Sequence, residues 1–159
     1  MHAVQERYAG VCFDLFGTLT DDRGRAIDGA LAVLACVQGA RWAIVTSAPR
    51  ALATVIIARA GLPKPPALVT GDDVERTKPA PECYLRAAEL LGVAPGRALA
   101  VEDSLQGLAS ARGAGMETVM ILRGAPIQSV RDAVYGVERI GDLSLHVQAD
   151  GMVTLSWAG

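Results

Sequence analysis

The sequence predicts an α/β fold built on a doubly wound, mainly parallel sheet. Short apolar runs recur along the chain, and segments of helix length separate them, as in successive β-α-β units. The runs are apolar at consecutive positions, so both faces of the sheet should be covered. Right-handed crossovers then place the helices on those two faces. The expected strands are residues 11–13, 42–45, 67–69, 98–101 and 118–122.

Three of the intervening segments have the composition or the spacing of helices. Residues 81–91 repeat apolar side chains at the i, i+3, i+4, i+7 spacing and are followed by Gly92, a helix stop signal. A similar pattern ends at Gly115. We therefore expect helices over residues 51–60, 81–91 and 104–114.

Length and composition limit the number of domains. The 159 residues are 51% hydrophobic and 20% charged, which is enough for one core and too little for two ordinary domains. We expect a single domain over residues 1–159, with its motifs in a core at about 10–122. The segment 124–159 is weakly patterned, and its residues 151–157 could add a short edge strand.

Charge and cysteine content exclude several classes of partner. A net charge of -2 without a Lys/Arg cluster argues against nucleic acid. Cys12, Cys36 and Cys83 are odd in number and widely spaced in apolar or helical surroundings, which predicts buried thiols in a reducing cytosol. Glu6 and Arg7 stand where a signal peptide would be apolar. We expect a cytoplasmic protein that does not bind membranes.

An aspartate follows the first predicted strand. Asp14 precedes a turn that contains Gly17 and Thr18, and open α/β sheets bind ligands at the carboxyl ends of their strands. Gly17 permits a tight turn with inward N–H groups, and Thr18 adds a hydroxyl to a candidate phosphate cradle. An aspartate in this place is also a common helix or turn cap, so this motif alone leaves both interpretations open.

Polar residues also follow other strands at the same predicted edge. Thr46 and Ser47 close the second run, Lys78 begins a Lys-Pro-Ala-Pro segment, and Glu102 with Asp103 closes the fourth run. Thr46 and Ser47 alone could cap a helix, and Lys78 alone could be an exposed lysine. The adjacent acids would repel each other without a cation or a cap nearby. Together, a hydroxyl, an ammonium and paired acids are what a phosphoryl site with a divalent cation requires.

At these residues the chain resembles the haloacid dehalogenase-like hydrolases, most of which are magnesium-dependent phosphatases with a Rossmann-like core. Four motifs occur in order: Asp-Leu-Phe-Gly-Thr at Asp14, an apolar strand ending at Thr46, the segment at Lys78, and Glu-Asp-Ser-x-x-Gly from Glu102. The last motif, followed by Gly-Ala-Gly-Met at Gly113, is similar to the phosphoglycolate phosphatase and phosphoglucomutase branch.

The resemblance implies a phosphatase mechanism. Asp14 would attack phosphorus and form an aspartyl-phosphate that water releases. Thr46 and Lys78 would act at the phosphoryl oxygens, and Gly17, Thr18 and Ser47 would contact the phosphate. Mg²⁺ would be held by Asp14, the backbone carbonyl of Phe16, Glu102 and Asp103. The implied substrate is a phosphorylated small molecule or macromolecule.

Phe16 departs from the family pattern. Phosphatases of the family use a second aspartate there as general acid and base, a contribution of ~10²–10⁴ in rate. We therefore expect a slow enzyme or one restricted to good leaving groups, such as acyl or aryl phosphates. Dehalogenases of the family carry an aromatic residue at this place, but Glu102 and Asp103 would repel their carboxylate substrates. A non-catalytic module that binds Mg²⁺ or phosphate is the alternative from another functional class.

The spacing of the motifs leaves no room for a lid. One loop, one helix and one strand fill the chain between Asp14 and Thr46, and one helix and one strand fill the chain from there to Lys78. The site should therefore be open, with missing walls supplied by a macromolecular substrate or by a second subunit in a homo-oligomer. The candidates for substrate contacts at the rim are Arg23, Arg25, Arg50 and Arg123.

Overall fold

A parallel sheet of six strands forms the centre of the structure, a computed structural model that describes residues 6–133 and 135–156, without the side chain of Ser129. The four helices are α1 (Ala30–Cys36), α2 (Arg50–Arg59), α3 (Glu82–Leu91) and α4 (Leu105–Gly113). The strands are β1 (Glu6–Tyr8), β2 (Gly10–Asp14), β3 (Trp42–Val45), β4 (Ala67–Val69), β5 (Ala98–Glu102), β6 (Glu117–Ile121), β7 (Tyr135–Val137), β8 (Ser144–Val147) and β9 (Val153–Ser156).

The strand order of the large sheet is that of a doubly wound fold. Its order is β4-β3-β2-β5-β6-β7, and all neighbours are parallel. The chain builds outward from β2 on one side and then returns to build outward from β5 on the other. The strand order therefore reverses between β2 and β5, which is where such sheets bind ligands.

The predicted covering of both faces of the sheet is confirmed. Every residue of β2, β3 and β5 is buried. Because successive side chains of a strand point to opposite faces, Phe13 joins a core cluster with side chains of α1 and α2, whereas Cys12 joins a second cluster with side chains of α3. The sheet thus separates two apolar layers and fixes the direction of its strand ends.

The predicted elements of the motif-bearing core are confirmed to within a residue at each end. The sequence pattern missed β7, which adds a parallel strand beside β6. It also missed β1 and β8 of a second sheet. These strands are three or four residues long and not continuously apolar, so their composition gave little signal.

The C-terminal strand corrects one expectation. Instead of an edge strand, β9 is the central strand of a separate antiparallel sheet with the order β1-β9-β8; residue 157 lies outside the described residues. Leu145, Val153 and Leu155 of this sheet are buried in the same core cluster as Val33 and Leu34 of α1. The small sheet therefore covers α1 and shares its core with the large sheet.

The cysteines follow the prediction in part. Cys12 and Cys83 are buried free thiols, as expected, but Cys36 at the end of α1 is exposed. Burial raises the pKa of the Cys12 thiol to about 12, so this thiol stays protonated. No helix within the described ranges is both long enough and apolar enough to cross a lipid bilayer.

The shared core predicts a large stability effect in β9. Replacing fully buried Leu155 with Ala should lower the free energy of unfolding by about 2–5 kcal/mol, because it removes packing and leaves a cavity. The matched control is Leu52→Ala on the exposed side of α2, which should change it by less than about 0.5 kcal/mol. Chemical denaturation measures both values. Equal midpoints for the two variants would mean that the small sheet does not share the core.

Candidate active site

The side chains predicted from strand ends meet at the carboxyl edge of the large sheet. β2 ends at Asp14, β3 is followed by Thr46, and β5 ends at Glu102. Since β2 lies between β3 and β5, these ends are adjacent. They border a cleft lined by Asp14, Phe16, Thr46, Ser47, Ala48, Lys78, Asp103, Ser104 and Gln106. Lys78 comes from the loop before α3, where its peptide bond to Pro79 is cis.

Lys78 links the ends of three strands. Its Nζ donates to Asp14 Oδ1 at 2.7 Å, to Glu102 Oε1 at 2.7 Å and to the backbone oxygen of Val45 at 2.9 Å. These three bonds use all three donors of an ammonium group. Burial alone would lower the pKa of Lys78, but the charges of Asp14 and Glu102 raise it above its ordinary value. The side chain therefore remains a cation although it is only 7% exposed.

Glu102 is held on the closed side of the site. Its Oε1 also accepts a hydrogen bond of 2.5 Å from the Tyr84 hydroxyl, and its Oε2 accepts one of 3.3 Å from the backbone N–H of Asp103. Burial and the nearby charge of Asp14 raise the pKa of Glu102 to about 7, against the opposing effect of Lys78. Both carboxylate oxygens thus face protein donors.

Close packing against α4 holds Glu102 in this position. A Cβ atom at Gly107, in the first turns of α4, would lie 2.0 Å from the carboxyl carbon of Glu102. Only a glycine leaves this space free. The Ser104 hydroxyl caps the same helix by accepting from the Gly107 N–H at 3.0 Å.

Asp14 is oriented by two donors. Lys78 binds its Oδ1, and the Thr18 hydroxyl donates to its Oδ2 at 3.1 Å. The backbone N–H of Gly17 donates to Thr20 O at 2.7 Å, and that of Thr18 donates to Leu15 O at 3.2 Å. The polar groups that the sequence offered as a phosphate cradle are therefore engaged within the turn and at Asp14.

Asp103 lies on the accessible side of the acids. Carboxylate oxygens of Asp14, Glu102 and Asp103 lie within 4.8 Å of one another. Gly17 has a φ of 87° and lacks the Cβ that would lie 2.1 Å from Asp103 Oδ2, so the turn closes against this carboxylate. Burial and the charge of Asp14 raise the pKa of Asp103 to about 6. Arg123 Nη2 lies 3.6 Å from its Oδ2.

The acids fit a divalent cation of the magnesium type. Three carboxylates face one buried ammonium, which leaves an excess of negative charge. Hard oxygen donors are the ligands that Mg²⁺ prefers. Asp14 and Asp103 line the cleft, whereas the oxygens of buried Glu102 accept from Lys78, Tyr84 and the Asp103 N–H.

The other predicted residues lie at the cleft with different contacts. Thr46 Oγ1 accepts from the Ala48 N–H at 3.2 Å and retains its own proton for donation. Ser47 is exposed. The Phe16 ring is half-buried, packs against the core cluster beneath the turn and lines the cleft. It therefore brings an apolar surface, and no titratable group, to the site.

The four candidate rim arginines have different surroundings. Arg25 pairs with Asp21, and Arg23 donates its backbone N–H to the same carboxylate. Arg50 pairs with Asp73 and donates to Leu68 O on the outer edge of β4. Arg123 reaches an acid of the cleft.

The structure describes all residues of the two segments in which the motif spacing leaves no room for a lid. Residues 15–41 contain a looped segment and α1, and residues 47–66 contain α2 and its flanking turns. Neither segment carries a separate lid domain. The cleft is therefore open above Asp14 within the part of the chain that the structure describes.

Sequence reasoning missed the function of Tyr84. The sequence pattern includes this residue only as one apolar position of the predicted helix 81–91. In the structure its hydroxyl donates a hydrogen bond to Glu102, and its ring centre lies 5.2 Å from Lys78 Nζ. A signal was present, because a tyrosine on a buried helix face needs a partner for its hydroxyl. The identity of that partner depends on tertiary packing.

Comparisons with known proteins agree with this fold. A model of the haloacid dehalogenase-like hydrolases matches residues 21–115, more than half of the chain. The match includes Thr46, Lys78, Glu102 and Asp103, whereas Asp14 precedes it.

Two curated relatives are named as phosphatases. Hexitol phosphatase A of Escherichia coli (strain K12) is 33% identical over 132 residues, 82% of this chain and 61% of that protein. N-acetylmuramic acid 6-phosphate phosphatase of Pseudomonas aeruginosa is 35% identical over 121 residues, 74% of this chain and 54% of that protein. The chain thus spans less than two thirds of the length of either relative.

Solved structures share the architecture. A HAD phosphatase from Thermococcus onnurineus has a TM-score of 0.66 and 30% identity, covering 72% of this chain and 54% of its own. CbbY from Rhodobacter sphaeroides in complex with phosphate has a TM-score of 0.74, covering 85% of this chain and 96% of its own. Its 19% identity limits that likeness to the fold.

The packing of Glu102 against Gly107 predicts that a glycine-to-alanine substitution in α4 lowers stability, the opposite of its usual effect in a helix. Gly→Ala inside a helix normally stabilises by roughly 0.5–1 kcal/mol. Gly107→Ala should instead destabilise by about 1–3 kcal/mol, since its Cβ would collide with the Glu102 carboxyl group. Thermal unfolding measures the change. Gly96→Ala is the control, because its Cβ meets its nearest neighbour, Gly115 O, only at 4.0 Å; a stabilising Gly107→Ala would contradict the described position of Glu102.

Proposed function

The chain belongs to the haloacid dehalogenase-like hydrolase family, and we propose that it is a Mg²⁺-dependent phosphomonoester hydrolase acting through an aspartyl-phosphate on Asp14. One observation carries the proposal. A buried ammonium, Lys78, bonds both Asp14 and Glu102 at 2.7 Å beside a third, accessible carboxylate, Asp103. A site for packing alone has no need of this costly set of charges.

Asp14 is the proposed nucleophile. Its carboxylate attacks phosphorus, so a new O–P bond forms while the ester O–P bond breaks and its electron pair leaves with the substrate oxygen. Bonds from Lys78 and Thr18 hold the carboxylate in one orientation for this attack. We propose that Thr18 acts in this way, through Asp14, and that Gly17 shapes the turn that carries Thr18, in place of direct contacts with the phosphate.

Lys78 and Thr46 are proposed to serve the transferring phosphoryl group. The ammonium offsets charge next to the nucleophile, and the Thr46 hydroxyl donates to a phosphoryl oxygen. Ser47, exposed at the cleft, is proposed as a further phosphate contact. Glu102 positions Lys78 from behind, with Tyr84 as its second partner.

Asp14 and Asp103, with the backbone carbonyl of Phe16, are the proposed ligands of Mg²⁺. We place Glu102 behind them, because it is fully buried and both of its oxygens accept from protein donors, whereas Asp14 and Asp103 line the cleft. Bound Mg²⁺ supplies charge neutralisation at the phosphoryl oxygens.

The second step restores the nucleophile. Water attacks phosphorus, the bond to Asp14 breaks, and the carboxylate and inorganic phosphate are released. Phe16 has no proton to give to the leaving oxygen and cannot accept one from this water. The chemistry therefore favours substrates whose leaving groups depart as stable anions.

The substrate class follows from the open cleft and from the relatives. Their names specify a hexitol phosphatase and an N-acetylmuramic acid 6-phosphate phosphatase. By analogy, we propose a phosphorylated small molecule as substrate, in a cytoplasmic setting. We expect the absence of a lid in residues 15–41 and 47–66 to broaden access, and a second copy of the chain could supply the missing walls.

Phe16 itself favours a second candidate, a non-catalytic module that binds Mg²⁺ or phosphate. Loss of the acid and base removes a step that turnover needs and leaves binding intact. The retained nucleophile, Asp14, and its two donors favour the hydrolase. A haloacid dehalogenase ranks lowest, because the acid pair at Glu102 and Asp103 would repel a carboxylate substrate.

Hydrolysis of p-nitrophenyl phosphate tests the main proposal. The purified protein should release nitrophenol in the presence of MgCl₂, and EDTA should abolish the activity. Asp14→Asn should lower turnover by at least about 10³-fold, since it removes the attacking carboxylate. Asp132→Asn, at an exposed ion pair with Arg112, is the matched control and should keep the full rate.

A thermal shift measurement separates the two candidates when turnover is absent. Beryllofluoride with MgCl₂ mimics a phosphoryl group on aspartate and should stabilise a working site. Turnover that survives Asp14→Asn would eliminate the proposed nucleophile. Stabilisation by MgCl₂ or phosphate without any Asp14-dependent turnover would favour the binding module.

Restoring an acid at position 16 tests the meaning of the phenylalanine. Phe16→Asp should raise kcat on an alkyl phosphate by about tenfold or more, because a poor leaving oxygen then receives a proton. On p-nitrophenyl phosphate, whose leaving group needs no proton, the gain should be smaller. Phe16→Leu, which restores no acid, serves as the control. Equal gains on both substrates, or none, would show that the missing acid does not limit turnover.

A further inference from the structure

An apolar cavity adjoins the acids of the cleft. It has a volume of about 240 Å³ and is lined by Asp103, Leu105, Met120, Ile121, Leu122, Ala125 and Val130. Its floor is buried: Met120 and Val130 are 2% and 7% exposed and pack with Leu108 in a small core cluster. Its mouth is open, since Leu105 at the start of α4 is 63% exposed. Asp103 is therefore the polar end of an otherwise aliphatic pocket.

The cavity is adjacent to the proposed reaction site. Asp103 lines both the catalytic cleft and the cavity, and the neighbouring residues Ser104 and Leu105 line one each. A molecule with its phosphoryl group at Asp14 could thus reach past Asp103 onto Leu105. Cleft and cavity thus meet at Asp103, with charged groups on one side and an apolar lining on the other.

The outer wall of the cavity is a turn at residues 122–125 that is held by hydrogen bonds. Leu122 N–H donates to Val137 O at 2.7 Å, Arg123 N–H to Glu138 O at 3.2 Å, and Ala125 N–H to Leu122 O at 2.9 Å. Gly124 N–H donates to the Glu138 carboxylate at 2.7 Å. These bonds fasten the turn to β7 and the residue that follows it, so the wall exists before a ligand arrives.

Arg123 links this wall to the acids. It has a φ of 47°, the single positive value among the described residues other than glycine. This region is unfavourable for a non-glycine residue, and residues held in it cluster at functional sites. The conformation goes together with a contact of Arg123 to Asp103 at 3.6 Å. A cation is thereby placed beside Asp103, at the polar end of the cavity.

Resting on the proposed hydrolase function, we propose that this cavity binds the aromatic leaving group of the substrate, so that the preferred substrates are aryl phosphomonoesters. An aliphatic cavity of about 150 Å³ is large enough to hold a benzene ring, so 240 Å³ holds one ring. The leaving-group chemistry agrees independently. Because position 16 carries a phenylalanine and no acid, an aryl oxide departs more readily than an alkoxide.

Direct binding of two phosphonates tests the subsite without relying on turnover. Phenylphosphonate and methylphosphonate carry the same charged group and differ in the ring. With MgCl₂ present, calorimetry should give a dissociation constant about tenfold lower for phenylphosphonate, because the ring leaves water for an apolar wall. We expect methylphosphonate to measure the affinity of the charged end alone.

Two variants locate the ring. Leu105→Gln removes the apolar mouth, and Ala125→Phe fills the cavity from an exposed position. Each should reduce the tenfold preference to about twofold or less while changing the affinity for methylphosphonate by less than about twofold. Leu85→Gln, at a 43% exposed leucine of α3 away from the cavity, is the matched control and should retain the preference.

The outcomes separate this inference from the hydrolase proposal. A phenyl preference that both cavity variants remove supports the subsite, even in a protein that does not turn over. Equal affinities for the two phosphonates, no binding of either, or a preference that survives both variants would overturn it. Asp14-dependent turnover with equal phosphonate affinities would overturn the subsite alone and leave the hydrolase standing.

Discussion

The site depends on one buried cation. Lys78 donates to Asp14 on β2, to Val45 O on β3 and to Glu102 on β5, so a single ammonium joins three adjacent strand ends. Removing one partner of such a set leaves a charge uncompensated in an apolar interior, which is far more costly than never burying it. The positions of both acids, and of the turn that orients Asp14, therefore follow from the place where the loop before α3 delivers this side chain.

The adjacent acids Glu102 and Asp103 have different environments because of the geometry of the strand end. Consecutive residues at the end of a strand point in different directions, so Glu102 enters the packed space beside Gly107 and Asp103 faces the cleft. Glu102 is satisfied by protein donors and serves Lys78. Asp103 keeps oxygens for a cation, and Arg123 lies near it. The acid pair thus consists of one buried carboxylate that accepts from protein donors and one carboxylate that faces the cleft, which a motif alone does not distinguish.

The sequence predicted the parts of the fold whose burial is complete. Strands such as β2 and β5 are apolar on both faces, and this composition alone identified them. β8, with only Leu145 fully buried, gives no such signal. Asp14 and Asp103 were predictable because strand ends converge, whereas the partner of Tyr84 depends on how α3 packs across the sheet. Side-chain partners across elements are tertiary information, which local patterns do not contain.

Phe16 and the apolar cavity both favour a substrate with an aromatic leaving group. On the proposed function, Phe16 supplies no general acid and residues 15–41 and 47–66 carry no lid, so the enzyme receives little help in expelling water or in protonating the leaving group. Its rate then depends on properties that the substrate itself brings. An aromatic leaving group brings two of them, a stable anion and an apolar surface that excludes water from Asp103 when it packs on Leu105. On this proposal Phe16 contributes to the selectivity of the site. It cannot protonate the leaving group, and aryl phosphates are the substrates that need this proton least.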